Sequence, residues 1–196
     1  MIRSQLLSNA YFSSSKDGDS KDLLESLDIQ FDSAFMNQTH SSKLNYASFS
    51  GMQNCDSMYT DIKLLPLLVK SADCIPILME STKGVSATHA GWRGMLGKIF
   101  EKTVNVHDIN TLKISIGPHA RQCCYEVGKG FEDKFTEGIN RVDKKFYLDL
   151  SKTIKNFAYE NKIQFEDELI CTICDENYFS FRRDKTDKRQ FGIIWI

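Results

Sequence analysis

The chain has 196 residues, 25 basic against 26 acidic side chains, and 41% hydrophobic residues. That length suits one domain with an adequate core, and the composition excludes a disordered, collagen-like or membrane-embedded protein. A formal net charge of -1 provides no global field for nucleic acid or an anionic membrane, so neither is an expected partner and any anionic ligand has to be held by local groups.

The first thirty residues are polar and weakly periodic. A short strand is expected at Ala10 to Ser13 and a helix over Lys21 to Leu27, where Leu23, Leu24 and Leu27 share a face. The N-terminus lacks the apolar stretch of a secretory signal, and no run of about 18 apolar residues occurs anywhere, so the expected compartment is the cytoplasm. There the six cysteines, Cys55, Cys74, Cys123, Cys124, Cys171 and Cys174, read as thiols or ligands sooner than as disulfides.

Ile62 to Met79 holds two apolar runs around the polar tetrad Lys70 to Asp73, the pattern of a buried strand interrupted at a site. Val85, Ala87 and His89 alternate with Ser86 and Thr88 as a short strand running into Gly91-Trp92-Arg93-Gly94. A helix is expected from about Met95 to Val104, then a strand over Leu112 to Ile116 ending at the Gly117-Pro118 turn. Phe131 to Phe135 and Ser151 to Tyr159 read as helical, Leu169 to Ile173 and Phe191 to Ile196 as strands. No linker, repeat or charge block divides the chain, so residues 1–196 are expected to form a single catalytic domain of α/β or α+β type with a mixed sheet.

Chemistry-bearing residues concentrate around three positions. His40 ends the polar run Asn37 to His40 and reads as a surface histidine or a loop ligand. Cys74 lies where an apolar strand turns polar, so it is either an inert core thiol or one presented at the mouth of a sheet. His89 closes a strand before a glycine turn, a place where loops carry function. Two imidazoles and a thiolate suit zinc, and three protein ligands leave a fourth position open, but spacings of 34 and 15 residues match no recognised finger. Alternatively, Cys74 is a nucleophile with His89 as its base.

In the glycine turn, Arg93 is a bidentate donor or a partner of a surface carboxylate, and a helix N-terminus near Met95 would suit phosphate. Cys123-Cys124 is expected to pack or wall a pocket, and Cys171 and Cys174 to be structural. Arg182 and Arg183 follow aromatic residues, in a solvated loop or an anion contact.

Taken in order, Gln38-Thr39-His40, Ser71 to Leu78, His89 to Gly94, Cys123 to Gly128, Phe179 to Asp184 and the terminal Gly192 to Ile196 resemble the polyphenol-oxidase-like (laccase-like) family, regarded as zinc-dependent purine nucleoside phosphorylases and including the peptidoglycan-editing factor. The likeness runs from about residue 30 to the C-terminus. It implies an α+β fold of mixed sheets packed in layers with flanking helices, and His40, Cys74 and His89 as ligands of Zn2+. It also implies phosphorolysis of adenosine, inosine and methylthioadenosine with adenosine deamination, hence a purine nucleoside and phosphate as partners of a monomer or weak homo-oligomer. Cys74, His89 and Arg93 are the expected catalytic residues, and Arg93 and Arg183 the substrate contacts. Copper with laccase activity, formerly assigned to the family, and cell-wall editing remain alternatives. The chain departs from the family in a shortened, divergent segment over residues 1–30, in Lys70 where arginine is usual, and in Arg121-Gln122 before the paired cysteines.

Overall fold

The computed structural model describes residues 1–196. In chain order its strands are β1 (Ile2–Arg3), β2 (Ala10–Phe12), β3 (Ala34–Met36), β4 (Leu44–Tyr46), β5 (Gly51–Gln53), β6 (Ser57–Thr60), β7 (Leu67–Ser71), β8 (Ile75–Ser81), β9 (Gly84–Ala90), β10 (Lys113–Ile116), β11 (Glu126–Val127), β12 (Ile139–Val142), β13 (Lys145–Leu148), β14 (Gln164–Asp167) and β15 (Gln190–Ile194). The helices are α1 (Ser20–Ser26), α2 (Trp92–Leu96), α3 (Ile99–Val104), α4 (Ser151–Glu160) and α5 (Phe181–Asp184).

Two six-stranded mixed sheets carry the architecture, one ordered β1-β2-β15-β7-β3-β5 and the other β14-β10-β8-β9-β6-β4, with a small sheet β11-β13-β12 beside them. The period-2 alternation of each strand explains how they stack. Leu67 and Val69 of β7 and Ile194 of β15 point inward, meeting Leu78, Val85 and Ala87 of the second sheet in a shared core with Phe12 and Met58. Their neighbours Leu68 and Ile193 point outward and are covered by Leu23 of α1. On the far side of the second sheet, Ile75, Ile77, Met79, Ile114 and Ile116 pack against Ile99 and Phe100 of α3 and Ile154 and Ala158 of α4. The layers are therefore helix, sheet, sheet, helices, an α+β arrangement in which each large core side chain contributes about 1.5–3 kcal/mol of burial. No helix is long and apolar enough to cross a membrane.

Several elements differ from the sequence expectation for identifiable reasons. The Ile62 to Met79 stretch is two strands belonging to different sheets, β7 and β8, and the chain crosses between them at Asp73, whose φ is +90°. In β9 all seven residues are buried, because Ser86 and Thr88 face a second interior rather than water. Ser86 bonds His107, and Thr88 shares a hydroxyl network with Ser57 and Thr103. The helix expected from Met95 is split into α2 and α3 by Lys98, which sits at φ +62°. Phe131 to Phe135 forms only a 3-10 turn over Lys129–Phe131 followed by irregular turns. Leu169 to Ile173 is not a strand: Leu169 has φ +55°, and only an isolated bridge joins Cys171 to His119. The strand lies just before it, β14, whose polar sequence conceals a parallel edge beside β10.

His107 is buried, with Ser81 Oγ 2.9 Å from Nδ1 and Ser86 Oγ 2.8 Å from Nε2. Burial, with Lys83 nearby, pushes its pKa down to about 4. An unfolded chain binds that proton with a pKa of about 6.5, so this contribution to stability is complete above about pH 6.5 and declines as the pH falls towards 4, by roughly 2 kcal/mol at pH 5. Urea unfolding compared at neutral pH and at about pH 5 measures the decline, and His107→Gln is expected to flatten it.

Candidate functional site

At one end of the paired sheets three separate segments converge. His40 lies in the loop between β3 and β4 at φ +59°, Cys74 ends the crossing from β7 to β8, and His89 is near the end of β9. Their ligand atoms all fall within 4.8 Å of one another, and the two imidazole rings meet edge to face with centroids 4.8 Å apart. Beside them, a Cβ on Gly91 would stand 2.9 Å from Cys74 Sγ and 3.1 Å from His40 Cδ2. The glycine therefore makes room for this thiol and imidazole, and any side chain there would fill the cradle.

Asp56, just ahead of β6, organises the site and was not singled out by the sequence. Its carboxylate is fully buried and accepts the backbone N–H groups of Thr39, His40 and Ser41 at 3.2, 3.0 and 2.8 Å. It also accepts Ser41 Oγ at 2.6 Å and lies 2.8 Å from His89 Nδ1. An N–H on Nδ1 donating to Asp56 leaves Nε2 as the free donor atom, the arrangement by which carboxylates orient metal-binding histidines. Burial opposes the Asp56 charge, but these bonds hold its pKa well below the usual carboxylate range. Burial likewise opposes a Cys74 thiolate, yet the adjoining His89 and His40 lower the thiol's pKa, and the pair Cys74 and Asp56 raises that of His89 against its own burial. One thiolate and two imidazoles with an open side are a fitting donor set for a borderline-soft divalent ion.

The three residues line a cavity of about 500 Å³. Its lining carries four cationic side chains, Lys70, Arg93, Arg182 and Arg189, two carboxylates, Asp73 and Asp187, and the aromatic rings of Trp92, Tyr125 and Phe181. Arg93 packs over Trp92 at 4.5 Å and Arg182 over Tyr125 at 5.2 Å. Asp73, also in the lining, is held by Thr172 Oγ1 at 2.8 Å and the Arg182 N–H at 2.6 Å, which fixes the crossing that presents Cys74.

The structure thus gathers His40, Cys74, His89 and Arg93 and leaves Arg183 outside the cavity lining. The Arg183 guanidinium instead donates to the carbonyls of Thr172 and Tyr178, at 2.8 and 2.9 Å, and to the Asp184 carboxylate, staples of the loop. Its neighbours Phe181 and Arg182 take the cavity positions of the short α5, while Arg183 turns back onto the loop. The expected phosphate cradle at a helix start near Met95 is also revised. Helix α2 begins at Trp92 and has five residues, and the Met95 N–H already bonds Gly91. Gly94 is needed because a Cβ would stand 3.0 Å from the Ser41 carbonyl. Arg93 is thus left as a side-chain contact of the cavity.

Residues 17–196 match the family described as multi-copper polyphenol oxidoreductase laccase. Among curated relatives, a protein of Aquifex aeolicus named purine nucleoside phosphorylase is 36% identical over 150 residues, covering 72% of this chain and 70% of its own. A Clostridium acetobutylicum protein of the same designation is 34% identical over 180 residues, covering 83% and 76%. Among solved structures, the hypothetical protein YfiH of Bacillus licheniformis superposes with a TM-score of 0.84 at 21% identity, covering 96% of this chain and 92% of that one. YlmD of Geobacillus stearothermophilus superposes at 0.78, with 95% and 90% covered. The layered sheets are common to these neighbours, and with the match extending over the whole of the site-bearing sequence, the chain belongs to the laccase-like, YfiH-type family whose curated members are named purine nucleoside phosphorylases.

Proposed function

We propose that this protein is a zinc-dependent purine nucleoside phosphorylase that accepts adenosine, inosine and methylthioadenosine and also deaminates adenosine, acting in the cytoplasm. The observation that carries the reading is the convergence of His40, Cys74 and His89 in a cavity whose lining holds four cationic side chains against two carboxylates. The names of the relatives supply the substrate class.

His40, Cys74 and His89 would hold the ion through one sulfur and two nitrogens. When bound it supplies Lewis acidity at the cavity floor. The remaining chemistry belongs to the chain. In phosphorolysis the bond from ribose C1′ to the purine nitrogen breaks as a bond from C1′ to a phosphate oxygen forms, and the departing purine keeps the electron pair and takes a proton. Arg93, Arg182, Arg189 and Lys70 hold the phosphate anion beside C1′, where positioning removes much of the barrier. Trp92, Tyr125 and Phe181 offer apolar faces to the base. Asp56 contributes by fixing His89 and the His40 loop.

A second reading is favoured by a specific geometry: Asp56, His89 and Cys74 form a connected acid, imidazole and thiol, the order of a cysteine hydrolase. That chemistry assigns no task to His40, which presents its own imidazole to the same thiol, whereas metal ligation uses all three. A thiol hydrolase survives chelation and dies on alkylation; a metal-dependent phosphorylase loses activity to chelator and regains it with zinc. Copper shares this donor set, and metal analysis of the purified protein distinguishes the two ions.

Cys74→Ala is expected to bind one zinc fewer than wild type and to lose phosphate-dependent release of adenine from adenosine, both measured on the same preparation. Arg93→Ala is expected to keep its zinc while its KM for phosphate rises about tenfold or more, the loss of one charge-assisted contact; unchanged phosphate kinetics would remove Arg93 from this role. Asp56→Asn, which retains an acceptor but not the charge, is expected to weaken zinc binding about 10- to 100-fold in a competitive chelator titration.

A further inference from the structure

We propose that Cys123, Cys124, Cys171 and Cys174 form a second metal site, a tetrathiolate that binds one zinc ion and ties together the two loops behind the cavity.

The four sulfur atoms come from two tight turns and all lie within 4.8 Å of one another. Four thiolates about a tetrahedral zinc at roughly 2.3 Å stand about 3.8 Å apart. Cys123 and Cys174 are 3.5 Å apart, and Cys124 and Cys174 2.6 Å, closer than an ordinary nonbonded sulfur contact and longer than a disulfide. The turns are preorganised by backbone bonds: Cys124 N–H and Tyr125 N–H to the Arg121 carbonyl at 3.0 and 2.8 Å, and Asp175 N–H to the Cys171 carbonyl at 3.0 Å.

Packing does not account for the cluster. Cys123 and Cys174 are exposed and Cys124 is half-buried, while Cys171 alone is in the interior. Of the paired cysteines, Cys124 does line a pocket, beside Tyr125 and Phe131, whereas Cys123 is exposed and fills no core. Four soft thiolates with solvent access on one side form a closed, structural type of zinc site. On binding, each remaining thiol releases its proton to solvent, four sulfur–zinc bonds form, and no electron is transferred.

The location suggests what the ion does. Tyr125, next to Cys124, lines the cavity, and Thr172, next to Cys171, holds the Asp73 carboxylate adjacent to Cys74. Arg182 spans the same two loops through the Glu126 carbonyl at 2.7 Å. A cation at the cluster thus locks a wall of the cavity without touching its contents.

The test uses the full chain, reduced, stripped of metal and reloaded with zinc or cobalt(II). Wild type is expected to take two zinc ions per chain. Cys74→Ala is expected to take one, with four of its five thiols becoming protected from alkylation when zinc is added. The cobalt form of Cys74→Ala should show the intense sulfur-to-metal charge transfer of several thiolates, absent from the Cys74→Ala/Cys123→Ser/Cys174→Ser chain. Should that chain fail to fold, thiol protection in Cys74→Ala alone decides the matter. Cys74→Ala that binds no zinc and leaves Cys123, Cys124 and Cys174 as reactive with zinc as without it overturns the proposal, as does a Cys124–Cys174 disulfide, detected as a mass lower by two hydrogens, in protein purified without oxidant.

Discussion

The buried carboxylate of Asp56 is the constraint on which the site depends. An unpaired charge in that position would cost several kcal/mol, and the chain offsets it by turning three consecutive backbone N–H groups, one hydroxyl and one imidazole towards it. Those bonds have a directional consequence. The loop bearing His40 is wound around the carboxylate, and His89 is held with its other nitrogen towards Cys74. One residue that touches no cavity thereby orients two that line it.

The second element of the design is the crossing between sheets. β7 and β8 are adjacent in sequence but belong to opposite layers, so the three residues between them, Ala72 to Cys74, bridge the sandwich at its end. A left-handed Asp73 makes the turn, and its carboxylate is anchored by Thr172 and Arg182 from the C-terminal third of the chain. Cys74 is consequently presented from strands on both sides, which hold its sulfur in place. Gly91 completes the arrangement by leaving space beside the sulfur.

The cationic side chains of the lining have a different origin. Lys70 comes from a strand end, Arg93 and Arg182 from the short helices α2 and α5, and Arg189 from the loop before β15. Their charges gather around one cavity of a chain whose overall charge is nearly neutral, so the positive field there is local. The segment carrying Tyr125 is tied to α5 by the Arg182 contact to the Glu126 carbonyl and to the end of β14 by the paired Arg121 and Asp167 side chains at 2.8 Å. The wall is thereby built from long-range contacts more than from regular structure.

Much of this was legible in the linear chain. Apolar runs exposed the strands around Leu67 and Ile77, period-2 alternation those around Ala87 and Ile114, and the shared face of Leu23, Leu24 and Leu27 exposed α1, while the motifs around His40, Cys74, His89 and Arg93 named residues that the fold does bring together. What the sequence by itself determined was local: which stretches can present one apolar face, and which residue types carry donor atoms. Only the tertiary structure decided the partners. It placed Asp56 beneath the segments of His40 and His89, chose Arg182 over Arg183 for the cavity, buried the hydroxyl face of β9, and gathered four cysteines from turns about fifty residues apart. The reason is physical: strand register and the crossing of layers set distances between residues remote in the chain, and no periodicity within a single segment encodes them.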